Sequence, residues 1–192
     1  ASGTKDGSII LIDTSSLEAT VTIDISPEIP MMVKITSSWG FVVVYSNKEH
    51  EGHIKSYLSV FDIDGQFIRK RQINFEISCW SDYSSLDGFD YMVIGSINPS
   101  TAFQNVKNQT RNSEKPVSYR GGGYNLYLFE VFYLDIEDAG VERSDSKFID
   151  LKYCVKKGVL YAVTEKGSIL IYSANDLNTK RFHKTVFGIN EC

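Results

Sequence analysis

The chain has 192 residues, 42% of them hydrophobic and 23% charged, the balance of an ordinary globular protein rather than a disordered one. Its formal net charge of −4 argues against a general nucleic-acid binder, which needs clustered Lys and Arg to meet phosphate. No apolar run approaches the roughly 20 residues that span a bilayer, and 11 Tyr and 11 Phe beside abundant Val and Ile favour strands over helices.

Hydrophobic alternation dominates the chain, and helical periodicity is missing. Lys5-Asp6-Gly7-Ser8 reads as a tight Gly turn feeding a strand, Ile9-Ile10-Leu11-Ile12-Asp13. Met32-Val33-Lys34-Ile35 leads through a Ser/Trp/Gly turn to Phe41-Val42-Val43-Val44-Tyr45. A polar segment, Asn47 to Ser56, reads as a solvated loop before the strand Ser56-Tyr57-Leu58-Ser59-Val60-Phe61-Asp62. Asp64-Gly65 is a hairpin signal, because Gly tolerates positive φ, and it precedes a polar outer strand, Gln66-Phe67-Ile68-Arg69. Arg69-Lys70-Arg71, the one dense basic stretch, falls at a predicted strand end and reads as a solvated edge device. Ile77-Ser78-Cys79-Trp80 leads through a polar turn to Phe89-Asp90-Tyr91-Met92-Val93-Ile94-Gly95. From Asn98 to Gly123 the chain is Asn-, Ser-, Gln-, Lys- and Gly-rich, with almost no core-forming residues, and is predicted as a surface insertion. The strand Asn125-Leu126-Tyr127-Leu128-Phe129-Glu130 follows. Leu151-Lys152-Tyr153-Cys154-Val155 then leads through Lys157-Gly158 to Val159-Leu160-Tyr161-Ala162-Val163. The Val-rich runs lack alternation, as expected of strands covered on both faces.

The end of the chain repeats its start: Glu165-Lys166-Gly167-Ser168-Ile169-Leu170-Ile171-Tyr172-Ser173 resembles Lys5 to Asp13. Four strands share the same ending, and their marker residues Asp13, Asp62, Glu130 and Ser173 stand 49, 68 and 43 residues apart. Periods near 40 to 50 residues, each holding four short strands, are the signature of propeller blades. The predicted fold is therefore all-β, a partial β-propeller of about three and a half four-stranded blades. The blade parts fall at about 1–26, 27–75, 76–145 and 146–192, with a polar insertion at about 98–123. Known propellers have about 4 to 8 blades, so the remaining blades are expected elsewhere in a longer polypeptide, an expectation that Ala1 in place of Met also suits.

No set of residues marks a catalytic, cofactor or metal site. His50 and His53 lie three apart with Glu49 and Glu51 alongside, but no third ligand is marked by spacing and the segment reads as plain surface. His183 stands alone. Asp62-Ile63-Asp64-Gly65 has the start of a calcium loop without its glutamate, and is predicted as a β-turn. Asp135, Glu137 and Asp138 read as an exposed acidic turn. Gly121-Gly122-Gly123 lacks the following helix and the Lys-Ser/Thr pair of a phosphate loop. Ser85-Leu86-Asp87-Gly88 departs from the Ser-x-Asp-x-Gly-x-x-Trp turn of sialidase-type propellers. Asn108-Gln109-Thr110 matches a glycosylation acceptor, but no secretory signal accompanies it. Cys79, Cys154 and Cys192 form neither a metal spacing nor an even framework, and suggest free thiols in a reducing compartment. Trp80 ends an apolar strand and is expected to be buried with its indole N–H satisfied. Trp39 sits in a turn, where burial is still the commoner outcome, although an exposed Trp on a rim would be a strong partner anchor.

Asp6-Gly7-Ser8-Ile9-Ile10-Leu11-Ile12-Asp13 resembles the Asp-Gly-x-Ile-x-Leu-Trp-Asp ending of a WD-repeat blade, with Ile12 in the Trp place. Neither a Gly-His nor a Trp-Asp dipeptide is present, so the repeat is a degenerate one. Three stretches resemble the C-terminal propeller of BEACH-domain (beige and neurobeachin-like) proteins. They are Ile35 to Val43, Ser59 to Gly65, and Leu128 to Leu134 after Asp87-Gly88-Phe89-Asp90-Tyr91. The resemblance implies a large cytoplasmic scaffold, peripheral on endomembranes, acting in vesicle and membrane trafficking. It also implies a propeller that binds other proteins and has no catalytic residue. The expected partners are other proteins and the remaining blades of the parent chain, not nucleic acid, with no direct membrane insertion. A purely structural propeller segment and an enzymatic propeller of glycosidase or lactonase type are the alternatives. Converging carboxylates around a channel would mark the enzymatic one.

Overall fold

The computed structural model describes residues 1–84, 88–98, 123–139, 144–176 and 181–185. Most of the expected insertion lies outside these residues, as do Ser85 to Asp87, Asn108-Gln109-Thr110, Gly121-Gly122 and Cys192.

Strands that follow one another in sequence lie side by side in four sheets. The first holds β1 (Ser2–Gly3), β2 (Ser8–Ile12) and β3 (Ala19–Asp24). The second holds β4 (Ile29–Ile35), β5 (Val42–His50), β6 (His53–Phe61) and β7 (Phe67–Ile73). The third holds β8 (Glu76–Ser84), β9 (Asp90–Asn98), β10 (Gly123–Glu130) and β11 (Asp135–Asp138). The fourth holds β12 (Phe148–Cys154), β13 (Val159–Thr164), β14 (Ile169–Asp176) and β15 (Arg181–Thr185). The fold is all-β, a partial β-propeller of one three-stranded and three four-stranded blades. Among the described residues no helix is long and apolar enough to cross a membrane.

The chain divides into two compact units. The first comprises Ala1–Asn74, Ser84–Tyr91 and Glu130–Asp135, and the second Phe75–Tyr83, Met92–Phe129 and Ile136–Cys192. In the first, alternation along β2 turns Ile9 and Leu11 onto Ile23, Val42, Val44 and Phe61, all buried, with Val21, Ile25 and Val33 packed around them. Each such aliphatic side chain contributes about 1.5–3 kcal/mol on full burial. In the second, Phe75 stacks on Tyr127 with ring centroids 4.9 Å apart, and Tyr83 meets Tyr153 edge-on at 4.8 Å. The Tyr153 N–H donates to Ser81 Oγ at 3.0 Å.

One turn recurs, and it explains the repeat at the two ends of the chain. Thr4 N–H donates to Ser8 O at 2.8 Å, Gly7 N–H returns to Thr4 O at 3.3 Å, and Ser8 N–H donates to Thr4 Oγ1 at 3.1 Å. Thr164, Gly167 and Ser168 make the same three bonds at 2.9, 2.9 and 3.2 Å. Asp62, Gly65 and Gln66 make them at 3.0, 3.1 and 2.7 Å, with Asp62 Oδ1 in the place of the threonine hydroxyl. Asp62-Ile63-Asp64-Gly65 is thus the predicted β-turn, and Asp62 caps it.

Several expectations need correction. The segment from Asn47 to Ser56 is not a loop: β5 and β6 stay paired out to His50 opposite His53, because Glu51 and Gly52 turn the chain with φ of 52° and 75°. Asp135, Glu137 and Asp138 lie in a strand, β11, not a turn, since Ile136 between the first two is buried and pins the alternation. Arg69-Lys70-Arg71 lies inside β7, not at its end, and pairs with β6 throughout. The strand at Trp80 runs on to Ser84, with Ser81 and Tyr83 buried, and Trp80 itself is half-buried. β5 and β9 are buried on both faces from Val42 to Tyr45 and from Tyr91 to Ile94, but β13 alternates. Its Leu160 and Ala162 are covered, while Val159, Tyr161 and Val163 are only half-buried.

Candidate functional site

Three links of the first unit carry four exposed aromatic side chains: residues 36–41 between β4 and β5, Gly88-Phe89 before β9, and residues 131–134 between β10 and β11. A fifth, Phe67, stands apart at the start of β7, edge-on to Phe61. Asp90 ties the three links together from the first position of β9. Its carboxylate, 5% exposed, accepts the Thr36 hydroxyl hydrogen and, at 3.0 Å, the Trp39 N–H. Thr36 closes its own turn, its N–H donating to Phe41 O at 2.9 Å and its Oγ1 accepting from Phe41 N–H at 3.0 Å. The Asp90 carbonyl accepts from Val131 N–H at 3.0 Å, which fixes the third link. A buried carboxylate that accepts several hydrogen bonds stays satisfied and rigidifies what it touches.

The third link is held from within as well. The two oxygens of Glu130 accept from Phe132 N–H at 3.0 Å and Tyr133 N–H at 2.6 Å. Leu134 turns the chain at a φ of 57° with its side chain buried, and its carbonyl accepts from Arg71 Nη1 at 2.6 Å.

On these turns sit Trp39, 67% exposed, Tyr133, 54%, Phe89, 43%, and Phe132, 37%. Burial was the expectation for Trp39. The indole instead lies along the surface, where Nε1–H donates to Gly88 O at 2.7 Å and so meets its polar need outside the core. Phe132 lies 5.9 Å from Phe41 and 5.1 Å from Tyr133, and Phe89 lies 6.4 Å from Tyr133, all between ring centroids. The Arg69 guanidinium stands 5.7 Å over the Tyr133 ring. The result is an exposed aromatic surface with a cation at one margin, held by turns that are bonded on both sides.

Among the described residues the other candidates do not converge on a reactive centre. His50 Nδ1 stands 3.8 Å from the carboxylate of its chain neighbour Glu51, and among the described residues no group of three or more His, Cys, Asp or Glu could hold a metal ion. His183 falls in β15. Cys79 and Cys154 are free thiols, and burial pushes the Cys79 thiol up to about 11, although its bond with Ser78 pulls the other way. At neutral pH that sulfur is protonated and a poor nucleophile. Of the basic stretch, only Arg69 faces the aromatic surface as a free-standing cation-π partner. Lys70 pairs with the buried Glu28 and lies 4.4 Å over the Tyr57 ring, and Arg71 holds Leu134.

Of the four aromatics on these links, only Trp39 stood out in the sequence. The signal for the others was their place: Phe89 follows Gly88, and Phe132-Tyr133 come after the strand ending at Glu130. In both places the alternation that buries aromatic residues has already stopped.

No family model and no curated protein matches the chain. Among solved structures, a hydrazine synthase of Kuenenia stuttgartiensis is similar at a TM-score of 0.60 and 18% identity, over 90% of this chain and 48% of that chain. The chain thus spans about half the length of that protein, and the likeness is one of fold. A crystal structure of the tricorn protease aligns at a TM-score of 0.45 and 11% identity, over 97% of this chain and 26% of that one.

Proposed function

We propose that this chain is a non-catalytic protein–protein interaction scaffold, a set of propeller blades that presents the Trp39–Phe89–Phe132–Tyr133 surface to a partner protein. The observation that carries the reading is that these four side chains are exposed together on turns knotted through Asp90. Exposing large aromatics costs solubility and gains nothing for folding, whereas Trp, Tyr and Arg are the residues that dominate binding energy at interfaces. In the setting that the resemblance implies, the parent is a WD-repeat, BEACH-type protein of vesicle and membrane traffic, cytoplasmic and peripheral on endomembranes. The half-buried face of β13 suits a further blade of that parent, since its counterparts in β5 and β9 are covered on both sides.

Two experiments test the reading. The transcript encoding this segment should encode a BEACH domain upstream and further blades. A secretory signal with acid-bearing blades would retire the trafficking scaffold and reopen the enzymatic propeller. The parent propeller, used as bait, should capture a protein that the Trp39→Ala/Tyr133→Ala variant loses. If the two baits behave alike and localisation survives deletion of the blades, the segment is purely structural.

A further inference from the structure

The aromatic surface has an electrostatic side that narrows its partner, and the inference rests on the scaffold reading just given. The two carboxylates within the surface are already engaged. Asp90 is buried and accepts from Thr36 and Trp39, and Glu130 accepts from the Phe132 and Tyr133 N–H groups. The cation is differently placed. Arg69 is an exposed residue of the edge strand β7, and its guanidinium covers Tyr133 at 5.7 Å. A guanidinium held over a ring face still has a planar N–H fork to offer, and that fork can bind a carboxylate with two parallel bonds. Arg71 on the same strand reinforces the positive side while it anchors Leu134. Asp135, exposed at the start of β11, sets a limit: a polyacidic ligand would meet repulsion there.

We infer that the Trp39–Phe89–Phe132–Tyr133 surface docks an extended peptide segment of a partner protein in which an aliphatic or aromatic anchor stands beside a single acidic residue. The anchor lies on the aromatic rings and the carboxylate meets Arg69. Rigid aromatic side chains supply contact area at low entropic cost, and the cation sets register and selects against basic segments.

The test uses the 192-residue chain and three fluorescein-labelled peptides identical except at one position. Each carries Leu and Phe anchors beside Glu, Gln or Lys, and affinity is read by fluorescence anisotropy. The Glu peptide should bind about tenfold more tightly than the Lys peptide, with the Gln peptide between, and added salt should compress the difference. Arg69→Glu should reverse the order of the Glu and Lys peptides, an outcome that loss of folding cannot produce. Phe132→Ala should weaken all three peptides together. Equal binding of the Glu, Gln and Lys peptides overturns the acidic preference while leaving an aromatic docking scaffold. Binding of none overturns the peptide proposal, and the bait experiment then judges the scaffold by itself. A single-stranded oligonucleotide that binds this surface more tightly than the Glu peptide also overturns it, because stacked bases would then be the occupant.

Discussion

The hydroxyl of Thr36 and the carboxylate of Asp90, 54 residues apart in sequence, are hydrogen-bonded inside the first unit, and each is only 5% exposed. The bond makes the Trp39 turn and the start of β9 a single piece. Asp90→Ala would leave the Thr36 hydroxyl and the Trp39 N–H without their acceptor, at a cost of about 1–3 kcal/mol for the desolvated groups. Asp90→Asn keeps one acceptor oxygen and should cost less. Urea denaturation should rank the variants wild type, Asn, Ala, and the Ala variant should show altered Trp39 fluorescence before global unfolding. Equal stability of all three would mean that the aromatic surface is held by something other than this knot.

A second buried carboxylate behaves differently because its partner is a charge. Glu28, 6% exposed, receives Ser46 Oγ–H at 2.7 Å and the ammonium of Lys70. Lys70→Met would strand the Glu28 carboxylate. The expected loss is about 2 kcal/mol, below the roughly 3–5 kcal/mol of a fully buried pair, because the Lys70 side chain is 34% exposed. Glu28→Gln in the same background should restore most of the loss, since no uncompensated charge remains. A double-mutant cycle by chemical denaturation checks both statements, and additive losses would show that the pair is not coupled.

Asp13 gives a pH test. The Ser15 hydroxyl, then the Ser16 N–H and the Ser15 N–H, hold its carboxyl down at about 2 from an ordinary 3.8. A lowered folded-state pKa means that the carboxylate's contribution is fully present above 3.8 and is lost as pH falls through about 2. The Asp13 carboxyl resonance should titrate near 2, and the stability difference between wild type and Asp13→Asn should close as pH falls through that window. A midpoint near 3.8 would show that the Ser15 and Ser16 bonds do not persist in solution.

How much of this could be read from residues follows from what each signal encodes. Strand alternation and the Gly-Ser turns are local, so the blades and the likeness of Lys5–Ser8 to Glu165–Ser168 were legible. Thr4 and Thr164, which cap those turns, were legible in principle, since each stands three residues before its glycine, but a threonine is too common to stand out. The exposed surface was not legible. It gathers residues from positions 39, 89, 132 and 133, and nothing local announces that Asp90 reaches back to Thr36. The basic stretch misled for the same reason: the partners of Lys70 and Arg71, Glu28 and Leu134, are distant in sequence.

The recurring turn permits a graded prediction, because three glycines share one conformation and differ only in surroundings. Gly7, Gly65 and Gly167 have φ of 93°, 83° and 82°. Any side chain there pays the left-handed penalty of about 1–2 kcal/mol. At Gly167 a Cβ would meet nothing within 4 Å, so Gly167→Ala should cost that penalty and little more. At Gly65 the Cβ would lie 2.7 Å from Val21 Cγ1 and 3.1 Å from Ile23 Cγ1, side-chain atoms that can rotate at some expense. Gly65→Ala should therefore add about 1 kcal/mol of overpacking to the penalty. At Gly7 the Cβ would lie 2.8 Å from the Glu28 carbonyl oxygen and 2.9 Å from both Cα and N of Ser26. Those atoms are backbone, and they lead into the buried Glu28, so relief would have to move the link before β4. Gly7→Ala should be the costliest, at about 3 kcal/mol or more. Denaturation midpoints in the order Gly167→Ala, Gly65→Ala, Gly7→Ala, from highest to lowest, are the expected result. If Gly167→Ala proves as damaging as Gly7→Ala, backbone conformation alone governs these turns, and the close approach of residues 26 to 28 carries no weight.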